Sequence, residues 1–492
     1  MYKRIRKMTS IENRIYRMLI NGSLVSSTES FGVINPATGK KLASAPHASC
    51  EQVNSAIGAA NKGFAIWSRM AQPERAQRLL NAASIIEANR VDLEHIISKE
   101  QGKTLAGAAS ETNTAISLFR QAAEIILPVK HVKETPTHQL KTVRVPVGVV
   151  VGITPWNYPL SLGVGKIARA LGYGNSIILK PSPFTPLSSL YLGEILKDIF
   201  PPGVVNVVTG SDAQGPISVG QQLTESPGIN LVSFTGSVPT GKRIMVACAR
   251  NITRVLLELG GNDPAIVLPD ANVVHAAKGI FQMCMANCGQ ICCAIKRVYV
   301  HNSVYEEFTD EVVKLANEAV QSIGEGTKDG VKMGPLNNAQ QLQRVKELVS
   351  DAKKHGGLIL AGGKQPPHTD PNGYFFEPTI VTNVVEGIRV VDEEQFGPIM
   401  PVMPYSDEGE VIERSNRGIY GLGASVWGRD PVVLNRIAER LNAGIVWTNE
   451  HAVLREGGTF GGMKQSGFRR EGDFAEADLD SYTEMKTLKL AK

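Results

Sequence analysis

Short apolar, β-branched runs alternating with longer stretches of helical spacing dominate the middle of the chain. "VGVVVGIT", from Val147, is followed by a helical pattern from about Leu162 to Leu171. Strand "NSIILK" then precedes a helix over Ser188 to Ile199, and "GVVNVV" a helix near Gly215–Leu223. "INLVSF" leads into a helix from about Thr240, and "RVLLEL" closes the series. A strand buried on both faces loses its polar alternation, so this pattern predicts a parallel sheet covered by helices on both sides. A second α/β region begins at "PAIVLP", with a helix through Val273–Cys288, strand "RVYVH", a helix over Val304–Ile323, and strands near Phe375 and Pro398.

Upstream, "RMLINGSLV" turns at Asn21–Gly22, and "GVINPATGKKLASAP" sets Pro and Gly breakers between short strands. From Glu51 the spacing turns helical in three stretches, "EQVNSAIGAANKGFAIW", "RAQRLLNAASIIEANRVDLEHII" and "AISLFRQAAEIIL". The polar, β-leaning segment between Pro128 and Arg144 reads as an excursion from the compact body.

Length and charge narrow the function classes. A chain of 492 residues corresponds to about three units at roughly 150 residues each. It buries enough surface to need neither disulfides nor a structural metal. Its 52 basic and 47 acidic residues leave a net charge of +5 with no concentrated basic stripe, which argues against a nucleic-acid partner. The basic cluster Lys3, Arg4, Arg6 and Lys7 has no apolar run behind it and reads as a solvated extension rather than a signal peptide. No window is long and apolar enough for a membrane span, so a soluble protein is expected. Four of the six cysteines, Cys284, Cys288, Cys292 and Cys293, crowd into ten residues, which suits a reducing compartment and a cytoplasmic location. The first three would share a helix face, but Gly289 weakens that helix and no histidine completes a zinc site, so no metal is expected.

The G-x-G-x-x-G dinucleotide fingerprint is absent. Gly236 to Lys242 imitates a phosphate-binding loop of ATPases, but Arg243 stands where a magnesium-binding hydroxyl is needed. What remains is a strand, then Thr235, Gly236 and Ser237, then a helix whose free N–H groups can meet a phosphate. Four further elements belong together: Thr154-Pro-Trp156-Asn157-Tyr-Pro after a strand, Glu258-Leu259-Gly-Gly at a strand end, Asn287-Cys-Gly-Gln-Ile-Cys292-Cys293, and Glu394-Gln-Phe396-Gly-Pro. Taken singly, Asn157 is a turn residue, Glu258 a helix cap and Cys292 a core thiol.

Together, and with Glu258 and Cys292 spaced 34 residues apart, they resemble the NAD(P)-dependent aldehyde dehydrogenase superfamily from about Leu19 onward. "FTGS", "GYFFEPTI", "FGGMKQSG" and "YTEMKT" add to the likeness. The resemblance implies an α/β fold with a Rossmann-type cofactor domain (1–129 and 147–258), a catalytic domain (259–455) and a small β oligomerisation element (130–146 and 475–492). It implies Cys292 as nucleophile, Asn157 and the Cys292 N–H as oxyanion donors, Glu258 as the base that activates water, and Lys166 with Glu471 as a proton relay. For NAD or NADP it implies Thr154, Trp156, Lys180, Ser182, Pro183, Gly236, Ser237, Leu259, Glu394 and Phe396. Pro183 stands where a ribose-gripping glutamate is common, which removes a charge that would repel a 2′-phosphate and leaves NADP open.

Two positions that carry arginine in members acting on succinate semialdehyde are Gly165 and Ala286 here, which points to a bulky uncharged aromatic or aliphatic aldehyde. Arg455 is a candidate cation near the substrate. A semialdehyde or a betaine-type aldehyde, with Tyr158 and Trp447 as cage walls, is the alternative, as is acyl release to coenzyme A or phosphate. Arg469 stands where glycine is common. A homo-dimer or homo-tetramer is expected from the excursion and the tail strand.

Overall fold

The apolar runs form the strands Val149–Ile153, Ser176–Lys180, Val205–Val207, Leu231–Thr235 and Arg254–Glu258 of a computed structural model, which describes residues 11–211, 218–453, 457–472 and 474–492. The first four are buried along their whole length. All five are parallel. They lie side by side in the order Arg254–Glu258, Leu231–Thr235, Val149–Ile153, Ser176–Lys180, Val205–Val207. Strand order therefore reverses between Val149–Ile153 and Leu231–Thr235, and crossover connections leave a crevice outside the carboxyl ends at such a point. Register aligns those ends: Ile153 lies beside Lys180 and Phe234, and Thr235 beside Glu258. Antiparallel pieces close both edges, Gly467–Phe468 on one side and the Met18–Ile20/Ser23–Val25 hairpin on the other.

A seven-stranded sheet follows, ordered Leu358–Ala361, Thr379–Thr382, Ile399–Tyr405, Ile295–His301, Asp263–Val267, Gly423–Trp427, Ile445–Thr448. Only its Leu358–Ala361 edge is antiparallel. Buried apolar residues gather into two clusters, one around each large sheet. The excursion forms strands Val129–Glu134 and His138–Pro146, and Thr483–Ala491 pairs with the latter from Pro146 to His138. Val129, Val132, Met485 and Leu490 are exposed on these strands. Among the described residues no helix is long and apolar enough to cross a membrane.

Three expectations shift. The helical stretch 75–97 divides into Gln72–Ala88 and Arg90–Gln101, because Asn89 leaves helical geometry while its amide donates to the Ile85 carbonyl at 2.8 Å. The strand near Phe375 begins only at Thr379, since Tyr374 is held by Pro36 and Leu336 through single backbone bonds. The helix from Val273 ends at Met285 rather than Cys288. The basic cluster at 3–7, Arg455 and the start of the expected helix near Gly215 lie outside the described residues, and that helix is seen over Val219–Glu225.

Candidate active site

Outside the strand ends opens a cleft of about 1070 Å³. It is lined by ten of the nominated residues: Asn157, Glu258, Cys292 and Glu471, together with Trp156, Gly236, Ser237, Leu259, Glu394 and Phe396. Lys166 lies just behind, on the helix Pro159–Gly172, where it donates to Ser233 Oγ at 2.9 Å. Thr154, Lys180, Ser182 and Pro183 are not part of this lining; they sit at the neighbouring strand ends, where the Thr154 N–H donates to the Lys180 carbonyl at 3.2 Å.

The approach to Cys292 is an unusual piece of backbone. Asn287, Cys288 and Gly289 have φ of 50°, 58° and 71°, three left-handed residues in succession. The cysteines at 284, 288 and 292 therefore do not share a helix face. Such geometry persists only when its surroundings enforce it. Gln290 does so, donating to the Asn287 carbonyl at 2.8 Å and accepting from the Asn337 N–H at 2.8 Å. The Gln290 carbonyl in turn accepts from the Asn157 amide at 3.0 Å, which fixes Asn157 while leaving its second N–H to offer. A Cβ on Gly289 would overlap the Gly397 carbonyl. Gly289→Ala is expected to cost on the order of 3 kcal/mol, read as a lower thermal midpoint together with loss of Cys292 alkylation by iodoacetamide. The Cys292 thiol is pushed well up by its neighbour Cys293 and by burial, with the Glu394 and Asp263 charges adding to this.

Glu258 is almost wholly buried, and neither carboxylate oxygen has a hydrogen-bond partner among the described residues. Burial first, then the Glu471 and Cys292 charges, push its pKa well above the ordinary carboxylate value. Glu471 behaves oppositely: burial opposes its charge, yet Lys166 and Arg169 hold it below that value. The cleft thus contains two neighbouring carboxyl groups whose surroundings pull their proton affinities apart.

The residues also fit a dinucleotide. The Thr154 and Thr235 hydroxyls are buried without partners among the described residues. Ser237 starts the helix Val238–Ala249 without a side-chain capping bond, so the N–H groups of its first turn face the cleft with their dipole. Gly241 lets that helix approach Leu259, whose side chain would lie 2.7 Å from a Cβ there. Glu394 accepts from the Gly261 N–H at 3.1 Å, and burial raises its pKa to about 7. Phe396, at φ 48°, meets Trp156 edge to face at 5.2 Å, while Gln341 donates to the carbonyls of Gln395 and Phe396 at 2.9 and 3.0 Å.

The chain matches the aldehyde dehydrogenase family over residues 24–488. It belongs to that family. It is 36% identical to the succinate-semialdehyde dehydrogenase [NADP(+)] of Escherichia coli, a match covering 95% of this chain and 96% of that protein. It is also 36% identical to the phenylacetaldehyde dehydrogenase of Pseudomonas fluorescens, over 97% and 96% of the two chains. The NAD+ complex of an aldehyde dehydrogenase from Bacillus cereus superposes with a TM-score of 0.93 at 37% identity, covering 99% of each chain. The enzyme is an oxidoreductase acting on aldehydes. These relatives are named for an acidic and an aromatic aldehyde, so its substrate has to be read from the cleft.

Sequence reasoning missed four buried charges beside the site, two of them Lys103 and Glu111. Glu111 accepts from the N–H groups of Leu160 and Ser161 at 2.8 and 3.0 Å and from Lys103 Nζ at 2.6 Å, holding the start of the helix behind Asn157. A glutamate inside the buried stripe Ala108, Thr112, Ala115 and Phe119 was the available signal. Lys103 Nζ also sits 3.7 Å over the Tyr158 ring. Arg169 and Asp478 are the other two, paired at 3.2 Å. The space above Gly165 is not empty, because an Arg169 nitrogen lies 2.9 Å from where a Cβ would stand.

Proposed function

We propose that the enzyme oxidises a bulky, uncharged aromatic or aliphatic aldehyde to the carboxylic acid with NAD or NADP. The carrying observation is that Cys292, Asn157 and Glu258 share one cleft whose further walls include Leu118, Leu162, Met283, Ile291 and Phe460. Cys292 Sγ adds to the aldehyde carbon, and the free Asn157 N–H and the Cys292 backbone N–H hold the oxygen as it becomes anionic. The nicotinamide ring, when bound, supplies a positively charged two-electron acceptor. Glu258 then takes a proton from the water that attacks the Cys292 thioester, releasing the carboxylic acid and the Cys292 thiolate. Lys166 and Glu471 pass that proton outward. Glu394 and Phe396 orient the nicotinamide end, Ser237 and Gly236 the pyrophosphate, and Thr154, Trp156, Lys180, Ser182, Pro183 and Leu259 the remainder.

An acidic aldehyde finds the two arginines among the described residues of the cleft wall already paired, Arg169 with Asp478 and Arg344 with Glu393. A quaternary ammonium aldehyde finds one face of Tyr158 taken by Lys103, and Trp447 is not part of the cleft lining. Acyl release to coenzyme A or phosphate leaves Glu258 without a task. Steady-state kcat/KM for benzaldehyde-type, quaternary ammonium and acidic aldehydes tests the reading, and a strong preference for succinate semialdehyde refutes it. Pro183→Glu is expected to lower kcat/KM for NADP relative to NAD by about tenfold or more, since like charges brought together cost several kcal/mol. The same reading assigns cofactor binding to 1–129 and 147–258, catalysis to 259–455, and dimer or tetramer formation in the cytoplasm to 130–146 and 475–492.

A further inference from the structure

We infer that Arg169 is a positioning residue for thioester hydrolysis, coupling the segment that carries Glu471 and Asp478 to the Glu258 base. This rests on the reading of Cys292 and Glu258 given above.

The helix Pro159–Gly172 buries two cations on one face, Lys166 and Arg169, three residues apart. Buried cations need anions within reach. Both anions come from the 471–478 segment, at Glu471 and Asp478. Arg169 Nε donates to Asp478 Oδ2 at 3.2 Å, and the same oxygen accepts from the N–H groups of Gly472 and Phe474 at 3.1 and 2.8 Å. One carboxylate oxygen thus joins the helix behind the site to the backbone directly after Glu471. The Arg169 guanidinium also lies 4.9 Å over the Phe474 ring, and Tyr173 and Tyr482 stack at 6.1 Å beside it.

The groups facing Glu471 are Lys166 and Arg169 from the helix, Glu258 from its strand, and Asp478 and Tyr482 from the helix Glu476–Tyr482. Arg470 adds a positive charge near Glu258. Without Arg169, Glu471 keeps Lys166 alone as its positive neighbour. The Glu258/Glu471 pair then holds its protons to higher pH, because coupled carboxyl groups titrate as a unit. Cys292 attack on an aldehyde uses none of these contacts, so the effect falls on the hydrolytic half.

A cofactor-free assay isolates that half. 4-Nitrophenyl acetate acylates Cys292: the S–C bond forms, the C–O bond breaks and nitrophenolate leaves. Water then cleaves the acetyl thioester to acetate and thiol, with Glu258 taking the water proton. In Arg169→Met the nitrophenolate burst is expected to stay at one per active site, while the steady rate at pH 7 falls about tenfold or more. Its acid limb is expected to move up by about one pH unit. Arg169→Lys, which keeps the charge, brings the limb back. Asp478→Asn, which removes a negative charge, moves it down. Unchanged steady rates and limbs overturn the inference, as does a burst that falls in step with the steady rate while the limb stays put. Should Arg169→Met fail to fold, the opposed limb shifts are read from the lysine and asparagine variants, where two unmoved limbs overturn the inference equally. No burst in the wild-type enzyme instead overturns the assignment of Cys292.

Discussion

Cys292→Ala lowers aldehyde oxidation by about 10⁴-fold or more, the scale on which a covalent nucleophile is lost. Both available thiols at this turn are free, so the substitution also tests which one reacts. Cys293 is buried, and its carbonyl accepts a bond from His451 at 2.8 Å if that ring nitrogen carries the proton. Both line the cleft, and Cys292 is the half-buried one of the two. With substrate and cofactor, intact-mass and peptide measurements are expected to find the acyl group on Cys292 in the wild-type enzyme and nowhere in the variant. Full turnover in Cys292→Ala with an adduct on Cys293 would move the chemistry by one residue and sink the assignment. The thermal midpoint is expected to hold, since the change removes one partly exposed sulfur atom.

Glu258→Gln acts on the second half of the cycle. Losing a positioned general base costs about 10²–10⁴-fold, so thioester accumulates and a single turnover of NAD(P)H precedes a slow steady state. The pH dependence has a definite sign. Glu258 binds its proton well above the ordinary carboxylate range, because burial and the Glu471 and Cys292 charges disfavour its ionised form. Base function is present above that raised pKa and is lost as pH falls through it. The wild-type rate therefore carries an acid limb well above pH 4.5, the unshifted value, and the glutamine variant lacks it. Stopped-flow rates across pH, paired with quantification of acyl-enzyme, check both points. A variant that keeps both its rate and its acid limb rules Glu258 out as the base.

The parallel strands were legible because burial on both faces writes itself as an unbroken apolar run, and Val149–Ile153 and Ser176–Lys180 lie inside the stretches those runs outlined. Asn157, Glu258 and Cys292 were legible through strand-end position and order along the chain, and the cleft brings them together. The end of the helix at Met285 was not, because left-handed geometry at Asn287 and Cys288 is enforced by Gln290, Asn337 and Gly397, far away in sequence or hidden in a side-chain amide. Arg469 tells the same story: its φ of 69° explains why glycine suits the position, but nothing in its immediate sequence announces that angle. Gly165 misled in a different way. A small residue implies space only if no longer neighbour folds back over it, and Arg169, one helical turn on, does so.

The helix Leu105–Ala123 separates two tasks that many enzymes entangle. Its inward stripe, with Glu111, fixes the helix behind Asn157, whereas Ser110, Thr114, Ser117 and Gln121 look outward and line the mouth of the cleft. A combinatorial library confined to those four outer positions can reshape what enters while every group that makes or breaks a bond stays on strand ends and turns elsewhere. Substrate range in this enzyme is therefore open to change by drift on one solvent-facing surface, without a detour through inactive intermediates.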